Sequence, residues 1–200
     1  VGGVIFFTRN YENPAQLQKL CASIRAARKL PLLIMADQEG GRVQRFRHDF
    51  FPLPSLSFFG DWYDKNPVLA LDLCKKAGWL MAAEIMSAGI DISLAPVVDL
   101  NKSVSSVIGT RAFHRDPDIV FLLAQHYIQG MHEAGMPATL KHFPGHGSVT
   151  ADSHLDTPID ERSLKVILED DIQPFQKLIQ NNIPAVMAAH IIFPAVDSAQ

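Results

Sequence analysis

Apolar residues in this chain fall into two recurring patterns. Short runs with little alternation (residues 1–7, 30–36, 90–96, 136–140 and 183–189) read as strands covered on both faces. Between them lie stretches with helical spacing. Asn13 and Pro14 open the first, with Asn13 as N-cap and Pro14 at the first helical position. Leu17, Leu20, Cys21 and Ile24 then form one stripe at i, i+3, i+4 and i+7. Asn66 and Pro67 begin a helix that runs to about Ser87, with Gly89 as its stop. Pro117 opens another, apolar at Val120, Leu123, Tyr127 and Met131 and ending near Gly135. Residues 161–180 predict a helix bent at Pro174. The Pro- and Phe-rich residues 50–59 read as a loop.

Strict strand–helix alternation with apolar strands predicts an α/β fold, a parallel sheet wrapped by helices. A (β/α)8 TIM-type barrel and an open doubly wound sheet both fit. No G-x-G-x-x-G or G-x-x-x-x-G-K-[ST] follows a strand, so nucleotide binding has no motif behind it. About five strands are present, whereas a barrel uses eight in roughly 250 residues. A barrel would therefore be incomplete in this chain, a single partial domain over residues 1–200 with strands missing at both ends.

In such a fold the polar residues that end each strand meet on one face. Here they are Arg9, Asp37, Asp99, Lys141–His142 and His190, with Arg45 and Arg111 in loops leaving the same face. The densest stretch is Lys141-His142-Phe143-Pro144-Gly145-His146-Gly147, followed by Asp152-Ser153-His154. Its glycines and proline forbid a regular helix and mark a shaped loop at a strand end. Asp37, two arginines, a lysine and histidines offer the directional hydrogen bonds that hold a sugar's hydroxyls. Asp152 and His154 are two apart, so in an extended segment both side chains point to one side. The carboxylate can then orient the imidazole and stabilise its protonated form, as a general acid and base requires. Each residue also has a plainer reading. Asp152 and His154 fit a solvated loop pair, His142 a core histidine, Asp37 a turn cap, and Arg45 and Arg111 ordinary surface arginines. His146 fits either loop shaping or substrate contact. A catalytic metal held by His142, His146, Asp152 and His154 is a further alternative, although their spacing matches no standard metal motif.

Composition narrows the classes. The 200 residues are 48% hydrophobic and 20% charged, ordinary for a globular core. With a net charge of −3 and no basic run, neither nucleic acid nor an anionic membrane is an obvious partner. The apolar runs are too short to span a bilayer. Cys21 and Cys74 fall in predicted helices and form no disulfide framework, which fits a reducing compartment.

Four elements together, Asp37-Gln38-Glu39-Gly40-Gly41-Arg42-Val43, Ile108-Gly109-Thr110-Arg111, the Lys141–Gly147 loop and Asp152-Ser153-His154, resemble the family 3 glycoside hydrolases. They are most similar to the bacterial β-N-acetylglucosaminidases that trim peptidoglycan fragments. The Lys-His-Phe element alone is shared with related β-glucosidases, which stand as the alternative. The resemblance implies a (β/α)8 barrel and a retaining two-step mechanism without cofactor or metal. It makes His154 the acid/base and Asp152 its partner. It places Asp37, Arg45, Arg111, Lys141 and His142 around a terminal N-acetylglucosamine. The nucleophile it implies is an aspartate in a phenylalanine-serine-aspartate-aspartate motif, which these 200 residues do not contain, so this stretch alone is expected to be inactive. Further expectations follow: small N-acetylglucosamine-containing saccharides or muropeptides as substrates, a monomer without nucleic-acid or membrane partners, a bacterial cytoplasmic location, and a part in peptidoglycan recycling and hence in cell-wall biogenesis, shape and division. Replacing His154 with Ala in the full-length protein should spare aryl substrates with good leaving groups more than poor ones. Steady-state kinetics on both kinds check this, and equal losses would remove the general-acid role.

Overall fold

The computed structural model describes residues 2–150, 157–181 and 183–197. The chain begins with β1 (Gly3–Phe6), α1 (Pro14–Ala26) and β2 (Leu33–Ala36). A hairpin of β3 (Gln38–Gly40) and β4 (Val43–Gln44) follows, then α2 (Leu56–Tyr63), α3 (Pro67–Ser87) and β5 (Ile92–Ser93). The chain continues through α4 (Pro117–Glu133), β6 (Thr139–Phe143), α5 (Leu164–Glu169), α6 (Ile172–Ile179) and β7 (Ala185–Ala188). The N-caps read from sequence are formed: Asn13 Oδ1 accepts from Gln16 N at 2.9 Å, and Asn66 Oδ1 from Leu69 N at 3.1 Å.

β1 pairs with β2, β2 with β5, and β6 with β7, all in parallel. The two groups join where Val97 bridges Lys141 in parallel. Thr139 N donates to Ala95 O and Val98 N to Lys141 O, both at 2.9 Å. The described parallel strands therefore run β1-β2-β5-β6-β7, in chain order. That is the wall of a (β/α)8 barrel, whereas a doubly wound sheet reverses its order at a switch point. No helix of the described residues is long and apolar enough to cross a membrane.

The helical layer packs most tightly where α3 crosses α4. A Cβ at Gly78 would lie 2.0 Å from Tyr127 O, and one at Gly130 would lie 1.9 Å from Lys75 O. The two glycines let the backbones touch. Around them Cys74, Met81, Ile85, Leu123, Tyr127 and Met131 are fully covered. Cys21 and Cys74 are both buried and free.

Two elements differ from the sequence reading. Part of the Pro- and Phe-rich stretch is helical: Leu56, Phe59, Gly60 and Tyr63 sit at i, i+3, i+4 and i+7, and α2 buries the first three. Density of aromatics hid that stripe. The helix expected over 161–180 is two helices, broken at Asp170–Asp171 rather than bent at Pro174. Pro174 falls in the first turn of α6, where its missing N–H has no intrahelical partner to lose. Asp170 leaves helical geometry at φ −131°, ψ −86°.

Replacing Gly130 with Ala should destabilise the fold by about 2 kcal/mol or more, because backbone must move to admit the methyl group. Gly2 has open space around it, and its Ala variant should stay within about 0.5 kcal/mol. Denaturant midpoints at unchanged m-value check both.

Candidate active site

The residues that end β2 and β6 form one charged network. β2 runs into Asp37 and then into the antiparallel β3–β4 hairpin, which turns the chain back on itself. Gln38 holds that hairpin from inside: its side chain donates to Phe46 O at 2.9 Å and accepts from Phe46 N at 3.1 Å. Gln44 donates to Phe51 O and accepts from Leu53 N. These buried amide contacts fix where Arg45 leaves the loop.

Lys141, on β6, is 1% exposed. Its Nζ lies 2.8 Å from Asp37 Oδ1 and 2.6 Å from Glu39 Oε1. Asp37 uses its other oxygen for Arg45 Nη2 at 2.9 Å. Glu39 receives Arg111 through a two-pronged contact, Nε to Oε2 and Nη2 to Oε1, each 2.8 Å. Arg111 comes from a short 3-10 turn, Gly109–Arg111, and its Nη1 also donates to Val107 O at 3.2 Å. The sequence-predicted Asp37, Arg45, Arg111 and Lys141 are thus brought into one chain of contacts. Glu39 joins them as a residue the sequence reading passed over.

Burial alone would raise the Asp37 carboxyl, but the charge and hydrogen bond of Lys141, with those of Arg45, bring it down to about 2. Glu39 is lowered in the same way against its own burial, by Lys141 and Arg111. Burial works against the Arg111 cation, and Glu39 more than offsets it, raising its pKa. The side chain of Glu39 is 2% exposed and that of Asp37 18%, so Asp37 is the carboxylate a ligand can reach.

His142 belongs to a second arrangement. The β6–β7 register slips between Lys141 and Phe143, so His142 is an extra residue in its strand. Such a bulge re-aims a side chain. Its Nδ1 lies 2.7 Å from Asp99 Oδ2, and Asp99 is fully buried. Asp99 also accepts from His142 N at 3.2 Å and from His146 N at 2.8 Å. Burial would raise Asp99, yet the His142 interactions and these backbone donors hold it below the usual carboxylate range. An ionised Asp99 makes Nδ1 the protonated nitrogen and leaves Nε2 as the free one. His146 is buried edge-on to His142, ring centroids 5.9 Å apart, and its ring nitrogens have no partner among the described residues. Burial lowers its pKa and keeps it neutral.

Asp152 and His154 lie outside the described residues. Arg9 and His190, at two other strand ends, are exposed; the Arg9 guanidinium lies 4.6 Å from the centroid of the Phe7 ring, which Arg45 also approaches, at 5.4 Å. Among the described residues no group of three His, Cys, Asp or Glu side chains is arranged to hold a metal ion. A signal for the missed Glu39 was present: it is two positions from Asp37, on the same side of an extended segment. Asp99 was read among the polar strand ends, but its pairing with His142 was not.

The family model described as the glycosyl hydrolase family 3 N terminal domain matches residues 1–200. The chain is 51% identical over 197 residues to a protein named β-hexosaminidase from Nitrosomonas eutropha, covering 98% of this chain and 57% of that protein. A β-hexosaminidase from Bordetella avium is 52% identical over 199 residues, with 99% and 57% covered. The chain thus spans little more than half the length of these relatives. Among solved structures, NagZ from Neisseria gonorrhoeae in complex with N-trifluoroacetyl-D-glucosamine superposes with a TM-score of 0.95 at 43% identity, over 98% of this chain and 58% of that one.

Asp37 carries a depressed pKa, so its contribution to stability is fully present above about 3.8 and is lost as pH falls toward about 2. Asp37→Asn should therefore lower the melting temperature at neutral pH and flatten its decline between those two pH values. Thermal melts across that range check this, and parallel curves for the two proteins would contradict it.

Proposed function

The chain belongs to glycosyl hydrolase family 3, and from that premise we propose that its full-length protein is a bacterial exo-β-N-acetylglucosaminidase acting on peptidoglycan fragments. The observation that carries the reading is the Asp37–Lys141–Glu39–Arg111 network at the strand ends, with Arg45 and His142 beside it. It offers a partly exposed carboxylate as acceptor and fixed cationic donors, a set suited to the hydroxyls and amide of a neutral sugar. The names of relatives at about half identity, and the sugar analogue held by the N. gonorrhoeae structure, support the same substrate class.

In the proposed reaction the terminal N-acetylglucosamine lies over Asp37. A hydroxyl donates to the carboxylate, whose two oxygens are already oriented by Lys141 and Arg45. Arg111 contributes the N–H hydrogens its contacts with Glu39 and Val107 leave over, and His142 Nε2 takes a further hydroxyl. An aspartate outside these 200 residues attacks the anomeric carbon. His154, paired with Asp152, protonates the departing oxygen and then takes a proton from water, which releases the sugar with retained configuration. Family resemblance and the local motif support the roles of Asp152 and His154. The two-carboxylate scheme of many glycosidases applies only in part, since one of its members here is a histidine. Muropeptides as the natural substrate, a cytoplasmic site of action and a part in cell-wall recycling complete the proposal.

Turnover of aryl N-acetyl-β-glucosaminide against aryl β-glucoside by the full-length protein tests it. We expect preference for the N-acetyl sugar by about two orders of magnitude or more, the scale set by a site built to hydrogen-bond a group the competitor lacks. Preference for the glucoside would move the protein to the β-glucosidase side of the family.

A further inference from the structure

A second charged cluster lies apart from the network around Lys141. Arg162 grips Asp160 with two prongs, Nε to Oδ1 at 2.9 Å and Nη2 to Oδ2 at 2.6 Å. Its remaining Nη1 reaches Asp171 Oδ2 at 2.6 Å. Asp160 and Asp171 are 3% and 1% exposed. Asp171 stands at the break between α5 and α6, and its side chain makes no capping bond to α6. The carboxylate is committed to Arg162 instead.

What converges on Asp171 gives the cluster a purpose. From one side comes the loop after β6: a Cβ at Gly145 would lie 2.6 Å from Asp171 Cβ, and Ser148 Oγ lies 3.4 Å from Asp171 Oδ1. From the other side comes the stretch after residue 156. Asp160 N donates to Ile192 O, and Ile192 N to Pro158 O, both at 2.9 Å, and Arg162 carries that stretch to Asp171. The chain entering residues 151–156 and the chain leaving them are thus tied to one buried carboxylate. Two buried acids and one guanidinium are a poor choice for stability alone, since well-packed apolar residues of similar size usually do as well or better. What a planar five-donor fork supplies is a fixed direction for each of its partners.

We propose that Arg162, held between Asp160 and Asp171, is a positioning residue that sets where the chain on either side of residues 151–156, up to Ser148 and from Pro158 onward, stands relative to the strand ends. This rests on the acid/base reading of Asp152 and His154 given above. Arg162 touches no substrate. Its effect falls on the step that needs a proton delivered to the leaving oxygen, and binding of the sugar over Asp37 is left alone.

The test uses the full-length protein and two N-acetyl-β-glucosaminides, one with a 2,4-dinitrophenyl leaving group and one with phenyl. Arg162→Lys keeps the charge and removes the fork. It should lower kcat/KM on the phenyl substrate about tenfold more than on the dinitrophenyl one, the scale of a misplaced proton donor. Inhibition by free N-acetylglucosamine should stay within about twofold of wild type. Asp171→Asn, which leaves the Asp160–Arg162 contact intact, should show the same selective loss and serves where the lysine variant does not fold. Equal losses on both substrates, or none, would overturn the proposal and leave the cluster a stabiliser of the α5–α6 corner. His154→Ala in the same series separates the two readings. If it too shows no dependence on leaving group, the acid/base assignment fails; if it alone shows one, only the role of Arg162 fails.

Discussion

The ammonium of Lys141, 1% exposed at the end of β6, is the charge around which the candidate site is arranged. An ammonium so placed costs several kcal/mol in lost hydration unless carboxylates meet it at close range. Asp37 and Glu39 do so from the end of β2, at 2.8 and 2.6 Å. Each acid then has an oxygen facing away from Lys141, and each of those oxygens takes an arginine, Arg45 on Asp37 and Arg111 on Glu39. One buried cation thereby ties together β6, the end of β2, the hairpin after it and the 3-10 turn at Gly109–Arg111, although Asp37 and Lys141 are 104 positions apart. Taking away Glu39 would leave the largely buried Arg111 without a carboxylate and Lys141 with Asp37 alone, and breaking a buried pair in this way costs about 3–5 kcal/mol.

Most of this frame was legible in the sequence because apolar runs and polar strand ends obey rules that act over a few residues. The five parallel strands, the proline-started helices and the gathering of Asp37, Arg45, Arg111 and Lys141 all follow from periodicity and barrel geometry. What escaped was pairwise and long-range. Glu39 reads as one more acid in a polar loop until Lys141 and Arg111 are seen to close on it. Asp99 reads as a strand-end carboxylate until the bulge at His142 turns an imidazole toward it. The break at Asp170–Asp171 was placed instead at Pro174, because proline is the stronger local signal and Arg162 the stronger tertiary one. Asp152 and His154, read from sequence as the reactive pair, fall outside the described residues.

Asp99 and His142 repeat, in the described part of the chain, the carboxylate–imidazole arrangement expected of Asp152 and His154. Chemistry separates the two. Asp99 is wholly covered and saturated by three donors, so His142 is held in one tautomer with little freedom. That suits a fixed hydrogen-bonding group. A general acid and base must change its charge twice in each turnover, which favours a partner less completely buried and a ring less tightly held. On the proposed mechanism, one motif type therefore serves two tasks.

The charges of the site also nearly cancel. Lys141, Arg45 and Arg111 are three cations, and Asp37, Glu39 and Asp99 are three carboxylates, with the charge of Asp99 also acting on Arg111. A surplus of positive charge would attract anions and, in the proposed reaction, would oppose a transition state that gathers positive charge on a sugar ring. A surplus of negative charge would leave a buried carboxylate without a cation to meet it. With the charges balanced across the network, each polar group is held in orientation by its neighbour, and little net field remains to select a charged ligand. What the arrangement can recognise is then the pattern of donors and acceptors on a neutral molecule, which is the kind of recognition that distinguishes one sugar from another.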